Sequence, residues 1–129
     1  MPELPEVETI VRHLRPKISG RRILDMTSNT PRIFRVRRSP TSTEMKSDFK
    51  KIKGRVLGRK IETIDRVGKN ILFNLSGGVC MQVHLMMTGK LLLDSPKQKH
   101  DRFEIKLSGG TSLTFNDISK FGRCRIIEG

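Results

Sequence analysis

Apolar residues recur at Val7, Ile10, Val11 and Leu14, the i, i+3, i+4, i+7 spacing of one helix face. The pattern predicts a helix over 5–15, with Pro5 in its first turn, Glu6 and Glu8 at its positive end, and Pro16 and Gly20 closing it. A second, short helix is predicted at 43–53, opened by Thr43 and ended by Gly54. Most of the remaining chain reads as strand. Short apolar-rich runs fall at 23–28, 59–66, 71–75, 79–85, 90–93, 103–107, 112–115 and 123–127. Gly77-Gly78 and Gly109-Gly110 separate consecutive runs, as hairpin turns do. Phe103, Ile105 and Leu107 alternate with Glu104 and Lys106, giving one buried and one wet face. The predicted fold is mostly β: a two-sheet antiparallel β-sandwich with an N-terminal α-helix and a second short helix flanking it.

Charge sharpens this picture. The 129 residues make one domain and carry 26 Lys+Arg against 13 Asp+Glu, a net charge of +13. A surplus that large on a small domain points to a polyanionic partner, nucleic acid before an acidic membrane. It is concentrated in residues 31–60, which hold eleven basic side chains against Glu44 and Asp48. Interspersed Ile33, Phe34, Phe49 and Ile52 make that stretch a folded segment rather than a solvated arm. Two cysteines, Cys80 and Cys124, make neither a disulfide framework nor a zinc site and are expected to be buried free thiols. With no signal peptide or long apolar run, an intracellular protein is expected, with no membrane association. Trp and Tyr are absent, which argues against a platform for stacking single-stranded bases.

The N-terminus carries candidate chemistry. In Met1-Pro2-Glu3-Leu4-Pro5-Glu6-Val7-Glu8-Thr9, methionine precedes a small residue and is normally removed. Pro2 would then present a secondary amine on a fixed ring. An α-amine has a reference pKa of roughly 7.7–8.0, so a neutral, nucleophilic fraction exists at physiological pH. Such an amine can attack a sugar's anomeric carbon and form an iminium, as a Schiff-base lysine does with a carbonyl. Glu3 beside it suits general acid/base work. Read without context, the same residues are an ordinary helix entry, with Glu6 and Glu8 as capping acids.

Several motifs, in order, resolve that ambiguity. The N-terminal nonapeptide, Arg66-Val67-Gly68-Lys69-Asn70-Ile71-Leu72, His84-Leu85-Met86-Met87-Thr88-Gly89, Lys99-His100-Asp101 and Asp117-Ile118-Ser119-Lys120-Phe121-Gly122 resemble the signatures of the formamidopyrimidine-DNA glycosylase/endonuclease VIII family. The match is closer to the former branch and covers essentially all of residues 1–129. The resemblance implies base-excision repair of damaged double-stranded DNA by a monomer. Oxidised purines would be excised, and the strand then cut on both sides of the sugar by successive eliminations. It implies that Pro2 is the nucleophile, Glu3 the general acid/base, Glu6 the residue that holds terminus and sugar, and Lys69 a sugar-phosphate contact supporting catalysis. His84, His100 and Lys120 would contact DNA, and Met87 and Phe121 would fill the space left by an extruded nucleotide. Flexible Met and flat Phe suit a wedge between stacked bases. Without the resemblance, Lys69 is a solvated cation beside a turn, His84 a structural histidine, and Met87 and Phe121 core residues.

Two positions depart from the family pattern. Ser119 stands where an arginine usually enters the vacated space, and serine cannot reproduce an arginine's bidentate base contacts. Met86 replaces a usual glycine. Both changes imply altered recognition rather than altered chemistry. The family also continues into a helix–two-turn–helix domain and a four-cysteine zinc finger, neither of which falls within residues 1–129. Zinc is therefore expected only in that finger, and no metal or cofactor from the present residues. Without that half of the clamp, weak, salt-sensitive DNA binding and little turnover are expected. A retained Met1 would convert the Pro2 nitrogen to an amide and abolish attack. Two other readings remain: a non-catalytic DNA-binding domain of the same fold, and a basic β-rich RNA-binding protein.

Overall fold

The computed structural model describes residues 4–36 and 40–128. In chain order these form α1 (Leu4–Ile18), β1 (Ile23–Ser28), a 3-10 turn (Pro31–Ile33), α2 (Ser42–Val56), β2 (Ile61–Val67), β3 (Asn70–Leu75) and β4 (Val79–His84). Then follow β5 (Lys90–Leu93), β6 (Asp101–Leu107), β7 (Thr111–Asn116) and β8 (Arg123–Glu128). Two four-stranded sheets result, ordered β1-β6-β7-β5 and β2-β3-β4-β8, with every pairing antiparallel. The expected sandwich is present, and both Gly-Gly pairs turn hairpins: Leu75 pairs with Val79, and Leu107 with Thr111. Inward residues of both sheets meet in one apolar core, where the Phe103 and Phe115 rings stack at 5.1 Å and Phe34 packs on Phe103 at 5.0 Å.

Both helices run further than the sequence pattern predicts. α1 passes through Pro16 to Ile18 because Ile18 extends the buried stripe of Val7, Val11 and Leu14. Pro16 forgoes one hydrogen bond in the last turn, and the continued helix places Ile18 fully in the core. α2 starts earlier, capped by Thr41 rather than Thr43. The Thr41 hydroxyl accepts the Glu44 N–H at 3.2 Å, and Glu44 accepts the Thr41 N–H at 2.9 Å. It also continues past Gly54, since Ile52 and Val56, one turn apart, are both in the core.

Side chains fix the direction of α1 against β2. Arg15 donates two hydrogen bonds to the Ile64 carbonyl, at 3.0 and 2.9 Å. Seven residues earlier, Glu8 pairs with Arg66 at 3.1 Å, and Arg66 also reaches the Gly68 carbonyl. α1 thus runs antiparallel to β2 and brings its amino end to the β2–β3 turn. The hydrogen bond from Arg66, helped by the charges of Arg66, Arg12 and Arg15, outweighs the opposing effect of burial and holds the Glu8 carboxyl below its ordinary range.

Cys80 and Cys124 are free thiols. Cys124 is fully buried, and burial pushes its pKa up to about 12. Cys80 is only half-buried, contrary to expectation, because it lies on the outer face of β4, paired with Asn74 and Ile127. No helix among the described residues is long and apolar enough to cross a membrane.

Candidate functional site

The chain crosses between its sheets twice at one end of the sandwich, through residues 85–89 after β4 and 117–122 before β8. Asp117, buried at the start of the second crossover, ties the two together. Its carboxylate accepts from the Thr88 hydroxyl, the Gly122 N–H (2.9 Å), the Ser119 N–H (3.2 Å) and the Ser119 hydroxyl (3.0 Å). Burial would raise the Asp117 pKa, but these donors outweigh it and hold the carboxyl below its ordinary 3.8. Backbone packing reinforces the latch. A Cβ on Gly89 would meet the Leu85 carbonyl oxygen and the Phe115 ring, and one on Gly122 would strike the same ring. Glycine at both positions lets the two crossovers close on Phe115.

With their interiors pinned, the crossovers expose apolar tips. Met87 is 55% exposed, Phe121 50%, Ile118 60% and Met86 36%. Neither Met87 nor Phe121 belongs to the core, and Lys120 beside Phe121 is exposed with φ 63°. Ser119 is turned inward: its hydroxyl bonds Asp117, lies 2.9 Å from that of Thr88 and accepts the Phe121 N–H at 3.3 Å. Ser119 therefore shapes the turn that presents Phe121.

Met86 adopts φ 56°, the left-handed region in which a side chain is strained by about 1 kcal/mol. Replacing Met86 with glycine is expected to relieve that strain, less the extra freedom glycine gives the unfolded chain. The melting temperature should rise slightly, by about 2 °C at most. A fall would contradict this account of the turn.

His84 ends β4, in register with Asn70 on one side and Arg123 on the other. Its Nδ1 accepts the Met86 N–H at 3.0 Å, which leaves Nε2 as the protonated nitrogen of the neutral ring. Burial, then the charges of Lys69 and Arg125, lower its pKa below 6.5. Lys69, half-buried in the β2–β3 turn, thus lies in the electrostatic field of His84. A basic cleft of about 270 Å³ opens here, lined by Asn70, Gln82, His84, Met86, Arg123 and Arg125. Arg123 is braced by the Phe121 and Gly122 carbonyls at 3.0 and 2.8 Å.

His100 joins the same end from the other sheet. Its carbonyl accepts the Asp117 N–H at 3.0 Å, and its half-buried ring lies 3.5 Å from Arg102, which in turn holds the Asp117 carbonyl at 2.7 Å. Glu6 is exposed in the first turn of α1, at the helix end directed to the β2–β3 turn. Pro2 and Glu3 lie outside the described residues. The structure thus gathers Lys69, His84, Met87, His100, Lys120 and Phe121 at one end of the sandwich, with Glu6 leading towards it. Sequence reasoning missed the Asp117–Thr88 latch, the Glu8–Arg66 pair and the two arginines of the cleft. Glu8, Arg66, Thr88 and Asp117 all fall within recognised motifs, but the motifs carry no sign of how these residues pair, and Arg123 and Arg125 fall in none. No group of three or more His, Cys, Asp or Glu side chains among the described residues is disposed to hold a metal ion.

This fold superposes on that of a solved DNA glycosylase. The crystal structure of Lactococcus lactis Fpg (MutM) with a Fapy-dG-containing DNA superposes with a TM-score of 0.83 at 32% identity, over 98% of this chain and 44% of that one. The model of the formamidopyrimidine-DNA glycosylase N-terminal domain matches residues 1–124, and the chain belongs to that family. Formamidopyrimidine-DNA glycosylase of Carboxydothermus hydrogenoformans is 45% identical over 95% of the chain, and that of Lactobacillus helveticus 39% over 98%. The chain spans about 43% of the length of each.

Proposed function

We propose that this chain is the catalytic domain of a DNA-repair glycosylase that removes oxidised purines from duplex DNA and cleaves the strand at the resulting abasic site. The observation that carries the reading is the Asp117 latch, which exposes Met87 and Phe121 beside a basic cleft containing His84. A target base must leave the stack before it can be attacked, at a cost of a few kcal/mol. Two apolar tips on braced turns can occupy the vacated step, while cations hold the flanking phosphates. The L. lactis relative bound to a Fapy-dG-containing DNA supports the substrate class.

In the proposed chemistry, the lone pair of the mature Pro2 amine attacks C1′ of the extruded nucleotide. The bond to the base breaks, and its electron pair leaves with the base, which takes up a proton. Ring opening gives an iminium between Pro2 and C1′, with Glu3 supplying and removing protons at the sugar. Loss of a C2′ proton then expels the 3′-phosphate, and a second elimination expels the 5′-phosphate. Glu6 would steady the terminus, and Lys69, His84, His100 and Lys120 would hold the backbone. No step is routed through a metal.

The test uses protein in excess over a duplex carrying one oxidised guanine, at low salt because phosphate contacts weaken steeply as salt rises. Release of the free base and a strand broken on both sides of the sugar are expected, with no reaction on the undamaged duplex. Equal binding to damaged and undamaged duplex with no base released would overturn the reading.

A further inference from the structure

A larger groove, about 1080 Å³, lies between α2 and β8. Its cations are Arg35, Lys50, Lys51, Arg55, Arg123 and Arg125, and no carboxylate appears among its described lining residues. The segment bordering it is pinned from both sides. Phe34 bridges to Cys124, the Arg35 N–H reaches the Cys124 carbonyl at 2.9 Å, and the Val36 N–H reaches the buried Asp48 carboxylate at 3.2 Å. Arg123 and Arg125 line both this groove and the cleft at His84. The basic surface therefore continues without a break from one to the other. Burial, then the charges of Arg35 and Arg32, lower the Arg123 pKa, and Asp117 partly offsets them.

Gly54 is a second, independent observation. It sits on the exposed face of α2 between Lys50–Lys51 and Arg55, without a positive φ, and a Cβ there would meet nothing within 4 Å. A glycine inside a helix costs about 0.5–1 kcal/mol relative to alanine. Neither turn geometry nor internal packing accounts for it here, but it lines the groove and leaves the helix backbone open to close approach.

We propose that this groove is a backbone track that binds phosphates of double-stranded DNA away from the lesion and independently of sequence. The proposal rests on the functional reading above and extends it, since nothing in that reading requires α2 to touch DNA. Each phosphate contact adds roughly 0.9 to the slope of log affinity against log salt.

The test compares variants by salt titration of a fluorescent duplex with and without a central oxidised guanine. The Lys50→Gln/Lys51→Gln double variant is expected to lower the slope by about 2 and weaken both duplexes equally, leaving lesion preference unchanged. Gly54→Ala should stabilise α2 and bind normally. Gly54→Glu, also a better helix former than glycine, should weaken binding about 10-fold or more while its melting temperature holds. Normal binding by Gly54→Glu and an unchanged slope for the double variant would overturn the track while leaving the functional reading intact. Lesion-independent, salt-insensitive binding by the unaltered chain would instead count against both.

Discussion

Replacing Asp117 with alanine is expected to lower the unfolding free energy by about 3 kcal/mol, because it strands the buried Gly122 N–H and removes the acceptor shared by Thr88 and Ser119. For a domain of this size that is roughly a 10 °C fall in melting temperature. Asp117→Asn keeps the shape and one acceptor oxygen and should lose less than half as much. Both variants should also lose DNA affinity, since Met87 and Phe121 are presented by the turns that this carboxylate braces. The pH dependence has a definite sign. The folded-state pKa of Asp117 is lowered from 3.8, so its contribution is fully present above that value and is lost as pH falls through the lower folded value. Thermal melts from pH 7 down to pH 2.5 check this. If Asp117→Ala melts within a degree of the unaltered chain, some other interaction holds the crossovers.

A retained Met1 should have a larger effect on chemistry and none on fold. The Pro2 nitrogen is then an amide whose lone pair is delocalised into the carbonyl. Base release should fall by about 10³-fold or more. With Met1 removed, the rate should rise between pH 6 and 8 as the amine loses its proton around its reference pKa of roughly 7.7–8.0, then level off. Duplex binding should be the same in both forms, because the phosphate contacts proposed here come from other residues. Equal base release from the two forms, each verified by intact mass, would rule out the amine as nucleophile.

Strands were legible where alternation was regular and glycine pairs marked the turns. Phe103, Ile105 and Leu107 on β6 are the clearest example. Helix ends were less so, for identifiable reasons. Thr41 and Glu44 form a readable Thr-x-x-Glu capping signature, yet Thr43 lies nearer the periodic stretch and drew the boundary inward. Pro16 and Gly54 are stop signals that buried Ile18 and Val56 override, since local propensity yields to burial of a continuing stripe. At the candidate site, residue identities came from motifs, but their connections did not. Glu8 meets Arg66 across 58 positions and Thr88 meets Asp117 across 29, pairings that no local spacing encodes. Ser119 was legible as a substitution, but its inward bond to Asp117 was not. That bond turns Ser119 inward and leaves Ile118, Lys120 and Phe121 as the exposed residues of this turn.

Borohydride trapping on a duplex with a single abasic site tests the central claim most directly, because it bypasses base excision and isolates the iminium. Protein whose terminus is confirmed as Pro2 should give a covalent adduct with the mass of protein plus DNA, and the Met1-retaining form none. No adduct from the free Pro2 form, under conditions where it binds the duplex, would contradict the account and leave a DNA-binding domain that does not perform this chemistry.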